Sequence, residues 1–320
     1  MKRDMQSQLP SEQEQEAQSL YVGGVQAGIQ AIDILEALVG WLRLHKQWHP
    51  EAEWTLETPV AALQPGYLRR WRRMGFNRLN VFGAASMAPA SAHSSPGDLV
   101  DRAAAYGLRC SFEWECRVTP HKEDLLRQLD PLRDVRVEHF SLNVYPSEAS
   151  SLKVSPRLFW ELLAAWRKQH GYEAYHYHHF GRRGARGRYN LAVYQGAAYA
   201  GLGPGAAGSD GYRMRYRHAE EVATYCYRQK HGQEPATVEW LSPRAAFEEW
   251  VMLQLHLPEG LSQREVAAHA GAPSWKTVRE RAGPFLAAGI LKEQDGRLML
   301  VETRKDALDD VLLGLLDLDK

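Results

Sequence analysis

Cysteine is scarce in this chain. Among 320 residues there are three, Cys110, Cys116 and Cys226, an odd number that gives no disulfide framework. Cys110 and Cys116 sit six positions apart on a predicted strand; at ~3.3 Å per residue that is roughly 20 Å, beyond disulfide reach. Long apolar runs are missing too. The best of them, Ala31 to Leu44, is interrupted by Asp33, Glu36 and Arg43 and falls short of the ~20 apolar residues a membrane helix needs, so membrane insertion is not expected. Charge of one sign is also absent. Lysine plus arginine and aspartate plus glutamate number 39 each, leaving no global field to attract nucleic acid or an anionic membrane. The first eighteen residues have a charged start with no apolar segment behind it, unlike a secretory signal; they read as a disordered tail, 1–18, of a cytoplasmic protein.

What is present is a regular alternation. From residue 19 to about 145, short apolar strand-like runs alternate with amphipathic helical stretches, the pattern of a parallel α/β domain. Strands are predicted at 19–22, 53–56, 78–82, 108–116 and 138–144, with helices at 29–44, 65–74, 98–106, 122–132 and 155–170. A loop rich in Ala, Ser and Pro is expected over 84–97. Ser155 is the expected N-cap of the last of these helices and Pro156 its first-turn proline. Further strands are predicted at Tyr172–His178, Arg188–Tyr194 and Arg213–Tyr216. Residues 218–320 read as a mostly helical domain with a helix, a turn near Gly271 to Pro273, a second helix and a hairpin at Asp295-Gly296, a winged-helix-like order.

Three segments, in order, resemble one family. LYVGG at Leu20–Gly24 is similar to its strand leading into a glycine loop. EWTLETP at Glu53–Pro59 is similar to its E-x-T-x-E-x-N-P strand, followed at the expected distance by GFNRLNVFG at Gly75–Gly83. GYEAYHYHHFGRRGARGRYNLAVYQGAAYAGLGPGAAG at Gly171–Gly208 is similar, almost position by position, to a run ending in Y-L-G-L-G-P-G-A. The family is that of the radical-SAM heme chaperones (HemW) and oxygen-independent coproporphyrinogen III oxidases, and the resemblance extends over residues 19–320.

The resemblance implies an α/β fold: an incomplete (β/α)₆ radical-SAM-type barrel with β extension over 19–217, its first strand and cluster loop missing, and a small helical winged-helix-like domain over 218–320. In the family a Cys-x3-Cys-x2-Cys loop holds a [4Fe-4S] cluster that binds S-adenosylmethionine. None of the three cysteines here has that spacing, so no cluster is expected from this chain and an active radical enzyme is not the first expectation. Gly23 and Gly24 remain of the family's Gly-Gly-Gly-Thr-Pro loop and Glu57 stands at its strand glutamate, whereas its Gln-Ser has become Ala84-Ala85-Ser86 and its aspartate falls near Phe112 or Glu113. Either the cofactor site has decayed or the start is divided. Cofactor contacts are expected at Gly23, Gly24, Glu57, Gly203, Gly205, Arg188 and Tyr189. The spacing Gly201, Gly203, Ala206, with Pro204 lacking an N–H, is not a dinucleotide fingerprint.

The chemically unusual stretch is YEAYHYHHFGRRGARGRY. On a strand His176 and His178 share one face, with Tyr175, Tyr177 and His179 on the other. Neutral imidazoles ligate zinc, copper or heme iron, and the arginines that follow suit carboxylates such as heme propionates. The same residues also suit a sheet edge of half-buried aromatics, or a general base. His176, His178 and His179 are the expected metal or heme ligands, and no catalytic residue is assigned. The expected partners are a flat tetrapyrrole and, at the unpaired edge of the strand Leu20–Val22, a partner protein or second copy. S-adenosylmethionine, as in a radical-SAM-like enzyme with a borrowed cluster or none, is the alternative cofactor, and an interaction module without ligand the third reading. Residues 261–320 carry nine basic against ten acidic side chains, not the footprint of a nucleic-acid binder.

Overall fold

A computed structural model describes residues 16–24, 28–29, 31–83, 95–118, 121–145, 156–233, 237–269 and 273–316. Most of the expected N-terminal tail, the expected cap Ser155, the substituted Ala84, Ala85 and Ser86 and the turn residue Gly271 lie outside them. The chain divides into two compact units, one of Glu16–Leu191 with Glu302–Asp306, the other containing Ala192–Val301 and the stretch from Ala307 onward.

The first unit is built on a seven-stranded sheet of order β1-β2-β3-β4-β5-β7-β6. Five strands run parallel: β1 (Ala17–Val22), β2 (Trp48–Pro59), β3 (Arg78–Phe82), β4 (Arg109–Arg117) and β5 (His139–Tyr145). Each is followed by a helix: α1 (Ile32–His45), α2 (Pro65–Met74), α3 (Pro96–Ala104), α4 (Lys122–Leu129) and α5 (Pro156–Gln169). Local sequence explains their ends. Ser95 and Asp98 form a reciprocal capping box ahead of α3, and α2 stops at Gly75, whose φ of 109° suits glycine alone.

Strands β2 to β5 alternate strictly. Trp54, Leu56, Leu79, Val81, Phe112, Trp114, Phe140 and Leu142 join Leu68, Trp71, Leu99, Leu129, Phe159 and Leu163 of the helices in one buried cluster. Residues of the other parity, Glu53, Thr55, Arg78, Asn80, Ser111, His139 and Ser141, are polar and also buried. Parallel strands covered by helices on both faces are normally apolar throughout. Here helices cover one face, and the other is a polar floor.

Two expectations for the segment after α5 need correction. Tyr172–His178 is not a strand. Only Glu173–Ala174 (β6) is extended; residues 175–178 bend back, and His179–Gly181 (β7) pairs antiparallel with both β6 and β5. The alternation of faces expected for the histidines therefore does not apply. Arg188–Tyr194 is a helix, α6, because the Arg188 N–H is held by Glu53 Oε1 at 2.8 Å and Leu191 N–H closes the first turn on Gly187 O. At the N-terminus, Ala17 and Gln18, expected in the tail, belong to β1.

The second unit holds a three-stranded antiparallel sheet of order β10-β9-β8, made of β8 (Ala207–Ser209), β9 (Met214–Arg217) and β10 (Thr237–Trp240). Asp210 Oδ1 accepts the backbone N–H groups of Tyr212, Arg213 and Met214 and so fixes the β8–β9 turn. Helices α7 (Val222–Lys230) and α8 (Pro243–Leu255) follow, then β11 (Leu261–Ser262), α9 (Gln263–Ala268), α10 (Trp275–Ala287), β12 (Leu291–Gln294), β13 (Arg297–Leu300) and α11 (Leu308–Leu316). The predicted hairpin is present: Asp295 and Gly296 both have positive φ, 50° and 70°, as a two-residue primed turn demands.

Candidate functional site

The polar face of the first unit carries three connected layers. At one level the Arg78 guanidinium donates to Glu53 Oε2 at 2.8 Å, to Ser111 Oγ at 2.7 Å and to the carbonyls of Ala185 and Arg186 at 3.2 Å. The second oxygen of Glu53 receives Arg188 N–H. This ion pair is almost wholly buried, and its donors and acceptors are satisfied by one another, which such a pair requires.

Toward the C-terminal ends of β1 to β4 lies the second layer. Asn80 donates to Tyr21 Oη at 2.9 Å and to Glu113 Oε1 at 2.7 Å, and Gly24 N–H donates to Glu57 Oε2 at 3.2 Å. A Cβ on Gly23 would stand 3.0 Å from that same oxygen and 3.2 Å from the Tyr21 ring, so this strand end tolerates glycine best. Burial, reinforced by the Glu57 carboxylate, raises the Tyr21 phenol and the Glu113 carboxyl above their ordinary values. Tyr189 of α6 stacks on Tyr21 with ring centroids 5.0 Å apart. The space left among Tyr21, Glu53, Arg78, Asn80, His139 and Tyr189 is about 10 Å³, room for about one water against the hundreds of Å³ of a typical ligand pocket. A flat macrocycle does not fit it in this state.

The third layer is the histidine turn. His139 Nε2 lies 2.6 Å from Tyr175 Oη, which also accepts Gly187 N–H at 3.1 Å. Tyr175 Oη thus bridges His139 Nε2 and the Gly187 N–H, while His139 Nδ1 is a buried atom with no hydrogen-bond partner among the described residues. Ser141 Oγ is 2.7 Å from His179 Nδ1, the His176 and His179 ring centroids are 4.9 Å apart, and His178 N–H donates to His176 Nδ1 at 3.2 Å. Burial is the main force on the imidazoles. It drives His139 well below its ordinary value, with the Arg78, His179 and Arg109 charges adding, and lowers His179 to about 3, with His178 and Lys305 adding. Both rings are neutral at pH 7, the form that ligates metals.

The structure thus brings together Gly23, Gly24 and Glu57 at the strand ends, Arg188 and Tyr189 at the start of α6, and His176, His178 and His179 in one turn. Gly203 and Gly205 belong to the other unit. There Ala206 N–H closes a tight turn on Gly203 O, and both glycines have positive φ. Among the described residues no group of three or more His, Cys, Asp or Glu is arranged to hold a metal ion. Cys110 and Cys116 lie buried on the helix-covered face with thiols pushed up to about 12 by burial, and Cys226 is exposed on α7 of the other unit. The sequence reading missed Tyr21, Glu53, Arg78, Asn80, Ser111, His139 and Ser141 as members of the site. For all but Tyr21 the signal was the run of polar residues at alternate positions of EWTLE, RLNVF, SFEWE and HFSLN.

Among solved structures, coproporphyrinogen III oxidase (HemN) from Escherichia coli, a radical SAM enzyme, aligns over 96% of this chain and 79% of its own with a TM-score of 0.70 at 15% identity. The class follows: a HemN-like α/β fold with a mostly parallel central sheet. In sequence, the heme chaperone HemW of Mycobacterium tuberculosis, in strains CDC 1551 / Oshkosh and H37Rv, is 28% identical over 327 residues, covering 93% of this chain and 80% of HemW. The chain is therefore HemW/HemN-like. No family model matches it. No helix among the described residues is long and apolar enough to cross a membrane.

Proposed function

We propose that the chain is a cytoplasmic heme-binding chaperone or accessory protein that works without radical chemistry of its own. The observation that carries the reading is the similarity to a heme chaperone over 93% of the chain. The imidazoles of His176, His178 and His179 on one turn supply ligand chemistry for heme iron, with Arg188 and Tyr189 nearby in sequence. When bound, heme would offer iron to those nitrogens. Heme uptake then requires the turn to open, because His176 and His179 are buried as they stand. The spacing of Cys110, Cys116 and Cys226, which lacks the Cys-x3-Cys-x2-Cys pattern, supports the reading without a cluster held by these thiols.

The incomplete-barrel reading is supported by the open order of the sheet, with β1 at one edge paired only to β2 among the described residues; a second copy or a partner protein is the expected occupant of that edge. The winged-helix reading of the C-terminal part is supported by the order α8, β11, α9, α10, β12 and β13. One observation favours a second reading, a site for S-adenosylmethionine: Gly23, Gly24 and Glu57 meet at the strand ends.

Purified protein titrated with hemin tests the first reading. A Soret shift is expected, and it is lost in His176→Ala/His178→Ala; no shift, or the same shift in the variant, overturns it. A parallel titration with S-adenosylmethionine by calorimetry, with Glu57→Gln as the control, decides the second.

A further inference from the structure

Residues Glu302–Asp306 form part of the first unit, although their sequence neighbours Val301 and Ala307 belong to the other. This short strap is held at Lys305 and at Glu302. Lys305 Nζ donates to the backbone carbonyl of Tyr177 at 2.7 Å, and Tyr177 Oη donates back to the carbonyl of Lys305 at 2.8 Å. The ammonium is buried among the rings of Trp160, Tyr177 and Phe180, at 5.3, 5.1 and 5.2 Å from their centroids. Arg167 of α5 pairs with Glu302 and also donates to Tyr172 O. Tyr177 is the central residue of the turn that carries His176, His178 and His179, and its ring packs edge-on against His178 at 4.5 Å.

This fastening is specific and costly. A buried lysine is unfavourable unless its charge is met, and here burial lowers its ammonium to about 7, Glu302 opposing the shift and Arg167 adding to it. An apolar side chain would fill the cage at less cost. What the lysine adds is the reciprocal bond to the turn backbone. The same turn holds the His176 and His179 imidazoles out of reach of a macrocycle.

We propose that Glu302–Asp306 is a strap that gates the histidine turn: fastened through Lys305 to Tyr177 it keeps the imidazoles buried, and its release presents them to a flat iron-bearing macrocycle. Its role as a gate rests on the heme reading above; Lys305 is a positioning residue and makes no contact with the ligand.

Hydrogen–deuterium exchange of the full chain tests the fastening without any ligand. In Lys305→Met, which keeps the stem and removes the donor, amides of residues 174–181 exchange about tenfold faster while those of β2 to β4 are unchanged. Tyr177→Phe, which removes only the return bond, gives a smaller rise at the same residues. Stopped-flow mixing with hemin then shows faster uptake by Lys305→Met with the same final spectrum. Unchanged exchange at 174–181, or an equal rise across β2 to β4, overturns the strap. Selective exchange with hemin uptake no faster than in the unaltered chain overturns the gate. Selective exchange with no hemin binding by either protein overturns the heme reading, and with it the gating role, while the fastening stands.

Discussion

The two faces of the seven-stranded sheet are buried to a similar degree and are held together by different means. On the helix-covered face Leu56, Leu79, Phe112 and Phe140 lose essentially all contact with water among apolar neighbours, a non-directional stabilisation that scales with area. On the other face Glu53, Arg78, Asn80, Ser111 and His139 are buried too, and directional bonds hold them. Packing of the first kind tolerates a change of shape at graded cost. A network of the second kind tolerates removal of a whole pair better than removal of one member. A scaffold needs only the first, and the proposed ligand site lies on the second.

The sharpest break of this comparison is at Arg78. Arg78→Met alone leaves Glu53 charged and buried, and is expected to lower unfolding stability by about 3–5 kcal/mol in urea titration. Adding Glu53→Gln to it recovers a large part of that loss. If the double variant is as unstable as the sum of the singles, the two faces do not differ in kind. Phe112→Ala on the apolar face is expected to cost a comparable 3–5 kcal/mol, with no second-site change on the polar face restoring it.

Acid separates the faces next. His139 and His179 have folded values below the ordinary 6.5, so the unfolded chain takes up protons first as pH falls. Their contribution is complete above about 6.5 and is lost as pH falls below it, for His179 toward about 3. Urea midpoints measured between pH 7 and 4 should fall, and His179→Gln should flatten that slope; an unchanged slope would show that the imidazoles are not held neutral. The smallest effect is expected at Gly23→Ala, about 1 kcal/mol, through the Glu57 and Tyr21 contacts that a Cβ would crowd, read as a modest drop in Tm.

The same difference decided what could be read in advance. Helices and strands of β2 to α4 follow from periodicity, since the apolar face writes itself into the sequence at i, i+3, i+4 and at i, i+2. α2 and β3 match their predicted ends, Pro65–Met74 and Arg78–Phe82. The alternation in RYNLAVY misled, because a seven-residue helix is set by the Glu53 carboxylate, 135 residues away in sequence, and not by local pattern. The histidine hairpin was hidden for a similar reason: Tyr175, His176 and His179 are placed by β5 partners such as His139 and Ser141. Glu57, Gly23 and Gly24 came from the resemblance, and the structure adds the bond that joins them. No spacing in the sequence announces the tie between Lys305 and Tyr177, 128 residues apart.

The central claim is that the histidine turn serves heme. Resonance Raman spectroscopy of the hemin complex tests it directly. The account predicts imidazole-ligated iron that is lost when His176, His178 and His179 are all replaced by alanine, in a variant whose far-UV circular dichroism is unchanged. The same iron–ligand bands in the variant and in the unaltered chain would contradict it.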